Sequence, residues 1–171
     1  KKGIAWILYS YEKNPKEALK ILNTVSTYHK SPDYDLLKAE IAEYSDDLSL
    51  KSKALNDYDE ALKNSSYGVM YNAHSTLVYN DELHLPERAL EMAKLEVENR
   101  PTAGSYDLLA WSYFKNGNLE KAVAIIDEHV FEKTFEPNVL YHVAEIFKAA
   151  GRTDQIVPIK AELLDSSFEL G

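Results

Sequence analysis

A near-constant spacing of small apolar residues constrains this chain more than any other feature. Alanine falls early in four amphipathic stretches: Ala18 in PKEALKIL, Ala54 in SKALNDY, Ala89 in PERALEMA and Ala122 in LEKAVAII. Ile156 takes the same place in TDQIVPIK. Successive intervals are 36, 35, 33 and 34 residues. One alanine in a helix carries little information. Five stretches at one interval, each preceded by another apolar helical stretch, describe a repeated helix–turn–helix unit. Such a unit cannot bury its apolar face alone, so neighbouring units must stack.

The fourth unit carries the clearest motif. In SYDLLAWSYFKNGNLEKAVAII, Tyr106, Leu109, Ala110 and Tyr113 lie on the first helix, Gly117 at the turn, and Ala122 and Ile126 on the second. This resembles the tetratricopeptide repeat pattern W-x2-L-G-x2-Y…A-x3-F, whose period is about 34 residues. Other units match in part: Ala54, Tyr58 and Ala61 in the second, Pro101 closing the third, and Leu140, Val143, Ala144, Phe147 and Gly151 in the fifth. The stretch from Pro86 to Arg152 is similar to the C-terminal repeats of bacterial tetratricopeptide proteins. The resemblance implies an all-α, right-handed superhelical solenoid of about five helix pairs, forming one repeat domain over 1–171 with units near 1–31, 32–66, 67–101, 102–136 and 137–171. His129 in place of a small residue, the long EKTFEPN loop, and the lack of a turn glycine in the first unit depart from the family pattern.

The periodicity predicts ten helices, near 2–12, 15–29, 33–44, 48–64, 67–80, 86–99, 103–115, 118–131, 137–150 and 154–168. Asn14-Pro15-Lys16-Glu17 combines an N-cap, a first-turn proline and a capping-box glutamate. Pro86, Pro101 and Pro137 fall at junctions, whereas Pro158 sits inside the last apolar run and predicts a late start or a kink. Regular strand alternation is absent.

Composition narrows the partners. With 19 basic and 28 acidic residues the formal charge is −9, which repels phosphate backbones and attracts basic protein or peptide. There is no cysteine, so disulfides, thiol nucleophiles and thiolate-ligated metals are excluded. No stretch approaches 18 uninterrupted apolar residues, the length that reads as a membrane span. Lys1 in place of methionine is expected to mark either a processed form or an excised piece of a chain, with any targeting segment out of view. The compartment stays open between cytoplasm and bacterial cell envelope.

No catalytic motif stands out. The five histidines form no H-E-x-x-H pair; His142 and Glu145, three residues apart, share a helix face and are the nearest approach to a metal pair. The DYDE run at Asp57–Glu60 is dense in acid, but Tyr58 and Ala61 belong to the core face and turn the carboxylates to water. There is no G-x-S-x-G, Ser65-Ser66 and Ser166-Ser167 sit at helix ends, and the six glycines form no phosphate loop. Asn64-Ser65-Ser66 matches the glycosylation sequon. No cofactor is expected.

In the tetratricopeptide family, first helices line a concave groove that holds a partner. The resemblance therefore points to residues on first helices not needed for packing against the paired helix. These are Trp6 and Tyr9 in the first unit and Lys38 in the second, then Tyr71, Ser75, Val78 and Tyr79 in the third. The fourth adds Asp107, Trp111, Phe114 and Lys115, and the fifth Tyr141, Glu145 and Lys148. Chaperone-binding members clamp a C-terminal carboxylate with lysine, asparagine and arginine. Lys38 and Asn72 fit two such places, but Ala42, Gly104 and Leu108 stand where other polar groups are required, so that mode is excluded.

Three function classes follow: a non-catalytic scaffold that holds a protein or peptide in an aromatic groove, a structural or self-associating segment of a longer repeat protein, and an enzyme with a carboxylate or histidine site in the groove. The last helix is expected to cap the stack. Ile156, Ile159, Leu163 and Leu164 face inward, Lys160, Glu162 and Asp165 outward, and Leu163 lies buried against the helix at 137–150.

Overall fold

The computed structural model describes residues 1–165; the expected end of the last helix and Ser166-Ser167 lie outside them. Every regular element among the described residues is helical. The chain divides into two compact units, Lys1–Gly68 and a second from Val69 onward.

The first unit holds α1 (Lys2–Ser10), α2 (Pro15–Ser26), α3 (Pro32–Tyr44) and α4 (Leu48–Ala61). The helices of each pair pack together, α2 packs on α3, and α1 reaches α3. Ala5, Ala18, Leu22, Leu37 and Ile41 form the shared core. The second unit holds α5 (Asn72–Leu77), α6 (Pro86–Asn99), α7 (Ala103–Lys115), α8 (Leu119–Ile125), α9 (Pro137–Ala149) and α10 (Thr153–Asp165). The same contact pattern recurs: partners within each pair, α6 on α7, α8 on α9, and the first helices α5, α7 and α9 in sequence. Its core runs from Ala110, Ala122 and Ile126 to Val143, Phe147 and Ile159.

The small residues act as their spacing implied. Ala18, Ala89 and Ala122 are fully buried and Ala54 nearly so, while Ile156 is 7% exposed. Ala110 is also fully buried, which lets α7 and α8 cross closely with Ile126 filling the space beside them.

The turns within pairs share one device. Lys13, Asp46, His84, Gly117 and Gly151 all take positive φ, between 52° and 78°, where each first helix ends. The next residue returns its N–H to a carbonyl in the last turn: Asn14 to Leu8, Asp47 to Ala42, Leu85 to Tyr79, Asn118 to Tyr113 and Arg152 to Phe147. Asn14, Asp47 and Asn118 then cap the second helix by accepting the N–H of Glu17, Leu50 and Lys121. Ala18, Ala89, Ala122 and Ile156 each follow their positive-φ residue by five positions, whereas Ala54 follows Asp46 by eight. Ala54 thus packs one turn further along its helix than its counterparts.

Two expected starts are corrected, and one helix keeps its expected bounds but changes winding. The helix expected at 67–80 begins at Asn72, because the chain forms a single 3-10 turn at Ser65–Tyr67 and leaves helical geometry at Gly68; it then runs to Glu82 through a wider π turn at Val78–Glu82. The helix expected at 118–131 likewise changes winding to π at Ile126–Val130, closed by the bond from Phe131 N–H to the Ile126 carbonyl. Pro158 does not delay its helix, which starts at Thr153. Its missing N–H deprives only the carbonyl of Asp154, an exposed first-turn residue that water can satisfy. Leu164 is 75% exposed, so it does not belong to the inward face; Ile156 and Ile159 are buried, and Leu163 is half-buried against the core that includes α9.

Candidate functional site

A dense arrangement of aromatic and charged side chains lies on the first helices of the second unit. On α7, Asp107, Trp111, Phe114 and Lys115 occur at i, i+4, i+7 and i+8, so they share one face. On the neighbouring α9, Tyr141 and His142 lie alongside. The π turn that extends α5 supplies Asp81.

Trp111 is the centre. It is 5% exposed, its Nε1 donates to both carboxylate oxygens of Asp81 at 3.1 Å, and its ring stacks on the His142 imidazole with centroids 4.3 Å apart. Phe114 and Tyr141 pack at 5.3 and 6.2 Å from its ring. Lys115 places its ammonium 2.9 Å from Asp81 Oδ1 and 4.9 Å from the indole centroid, joining an ion pair to a cation–π contact.

Beneath the indole lies a buried acid–base pair. His142 Nδ1 is 2.7 Å from Asp107 Oδ2. Burial pushes the Asp107 carboxyl above its ordinary range; the bond to His142 and the imidazole's charge oppose the rise, and Glu136 adds to it. The other Asp107 oxygen, Oδ1, has no hydrogen-bond partner among the described residues. The carboxylate orients the imidazole, and the imidazole orients the indole. Chemically this is a positioning chain that ends at the surface in Phe114, Lys115 and Tyr141.

The expected groove residues divide into three groups. Tyr141 is 53% exposed, Lys115 and Lys148 are exposed, and Phe114 and Glu145 half-exposed. Trp111, Asp107, Tyr79 and Tyr71 are instead buried, at 5%, 2%, 1% and 8%. The Tyr79 hydroxyl accepts from Arg88 Nη2 at 3.0 Å, and its ring lies 4.4 Å from that guanidinium. Ser75 and Val78 are buried as well. In the first unit Trp6 is 54% exposed, Tyr9 packs edge-on against Tyr44 at 5.3 Å, and Lys38 is held by Asp35 at 3.0 Å. Partial burial, and then the charge of Glu40, raise the Tyr9 pKa.

Two members of the site escaped the sequence reading. Asp81 lies one residue past the helix expected at 67–80, because the π winding that extends the helix to Glu82 has no periodic signature. In the sequence His142 pairs by spacing only with Glu145. In the structure it serves Asp107, while Glu145 pairs with Lys148 at 3.4 Å. The bulky His129 in a small-residue position is accommodated by stacking on Tyr106, centroids 3.8 Å apart. In the DYDE run Tyr58 is fully buried and Asp57 faces Lys53 at the surface. Compared with known protein families and with curated proteins, the chain matches no family model and no curated protein.

Proposed function

We propose that this chain is a tetratricopeptide-like scaffold that holds a protein or peptide, and that the α7–α9 face around Tyr141 is where it does so. The observation that carries the reading is an aromatic cluster fixed from below and open above. Trp111 is locked by Asp81 and His142, while Tyr141 and Phe114 beside it remain accessible. Rigid aromatics with a polar tip bury much area on docking at little entropic cost. Folding has already set the geometry, so a partner need not order it. Site-specific photo-crosslinking tests the reading. Benzoylphenylalanine at Tyr141 is expected to give a discrete adduct that the same group at the exposed Leu164 does not. Identical adduct patterns at both positions overturn it.

One observation favours a second role in self-association. On α1, Ile4 and Ile7 are 56% and 47% exposed, and Tyr11, which follows the helix in helical geometry, is 83% exposed on the same face. Sedimentation of the Ile4→Lys, Ile7→Lys variant against the parent chain tests this. A parent that is strictly monomeric at high concentration excludes it.

A further inference from the structure

A cavity lies in the same unit and shares α9 with the site above. It holds about 180 Å³ between the loop following the π turn of α8, the start of α9, and α10. Its floor is apolar: Val130, Leu140 and Ile159 are all buried. Of its lining residues Phe135 is 64% exposed, and Glu132 and Glu162 are exposed as well. Neither carboxylate engages a cation among the described residues, whereas Glu128, Glu145 and Asp127 nearby in sequence each have a basic neighbour within 4 Å. From Val69 onward the sequence carries 17 acidic and 9 basic residues, so eight of the nine net negative charges lie there. An apolar hole flanked by two uncommitted carboxylates in a strongly acidic unit selects one kind of occupant.

We infer that this cavity takes a bulky apolar side chain of a peptide segment flanked by lysine or arginine. The leucine- or phenylalanine-sized group enters over Val130 and Leu140, stacks beside Phe135, and its basic neighbours meet Glu132 and Glu162. The inference is independent of the α7–α9 face.

The test uses the full chain labelled with ¹⁵N and two probes, acetyl-Lys-Lys-Leu-Phe-Lys-Arg-amide and its counterpart with every basic residue replaced by glutamate. The basic peptide is expected to shift the amides of Val130, Phe135 and Ile159 saturably, with the acidic peptide at least about tenfold weaker. The Glu132→Lys, Glu162→Lys variant, altered only at exposed positions, is expected to reverse that preference, and Tyr141→Ala to leave it unchanged. Three results overturn the inference: no saturable shift at these amides, equal affinity for the two peptides, or binding that appears only after Phe168→Ser, Leu170→Ser. The last assigns the cavity to the chain's own final residues.

Discussion

The indole of Trp111 lies parallel to the imidazole of His142, within 15°, with centroids 4.3 Å apart. This one contact joins the buried Asp107–His142 pair to the surface aromatics, and it determines which substitutions can probe the site. Trp111→Ala removes a 5%-exposed side chain and leaves Asp81 and His142 without their neighbour. It is expected to cost about 3–5 kcal/mol of stability. Tyr141→Ala removes a half-exposed ring and is expected to cost about 1 kcal/mol or less. Urea melts of the two variants check this ordering. Loss of partner binding in Tyr141→Ala therefore reports on the surface, whereas the same loss in Trp111→Ala reports on folding.

The Asp107 carboxyl gives stability a pH dependence of definite sign. Its pKa is raised in the folded state, so the folded protein holds this proton more tightly than the unfolded chain does. The contribution is fully present below the ordinary value of 3.8 and is lost as pH rises through the raised folded value. Asp107→Asn removes that titration. The stability difference between the parent and Asp107→Asn is expected to shift toward the parent as pH falls from neutrality into the carboxylate range. Denaturant melts of both proteins across that range check it, and a difference that stays constant or shifts the other way contradicts the assignment.

Three of the five turns place a residue with a side chain where glycine is least strained. Lys13, Asp46 and His84 have φ of 54°, 55° and 52°. Replacing any of them by glycine relieves that strain, against the larger entropy of glycine in the unfolded chain. Each substitution is expected to stabilise by about 0.5–1 kcal/mol. Gly117→Ala and Gly151→Ala run the comparison backward and are expected to destabilise by about 1 kcal/mol, since open space around both leaves the backbone angle as the only cost. Thermal melts of the five variants check the opposite signs.

Those turns also show where the sequence was readable. The alanine period located the helix pairs, because a close crossing favours a small side chain and most second helices carry one at nearly the same interval. The five-fold turn was visible only at Gly117 and Gly151. Lysine, aspartate and histidine adopt the same backbone at Lys13, Asp46 and His84 without announcing it, and the anchoring bonds join backbone atoms common to all residues. The eight-residue offset of Ala54 was hidden for the same reason: its interval of 36 looked regular until the turn at Asp46 was located. The site was half legible. Periodicity put Asp107, Trp111, Phe114 and Lys115 on one face but could not say which of them a neighbouring helix covers. Trp111 and Asp107 were read as surface because His142 and Asp81, which bury them, come from segments 30 residues or more away.

The last helix yields a graded prediction. Ile159 is 4% exposed against the core, Leu163 is half-buried on the same face, and Leu164 is 75% exposed on the other. Ile159→Ala is expected to cost about 2–5 kcal/mol, as for a fully buried aliphatic residue. A fully buried Leu163, as the sequence pattern suggests, would put Leu163→Ala in the same range. With part of its surface already in water, that substitution loses less transfer energy and leaves a cavity open to solvent, so the expected cost falls to about 1–2 kcal/mol. Leu164→Ala should stay within about 0.5 kcal/mol, and so should Glu162→Ala. Urea melts of the four variants measure the gradient. A descending order from Ile159 through Leu163 to Leu164 is what a helix docked through one face on α9 must give; equal costs at Ile159 and Leu164 would mean that α10 is held in some other way.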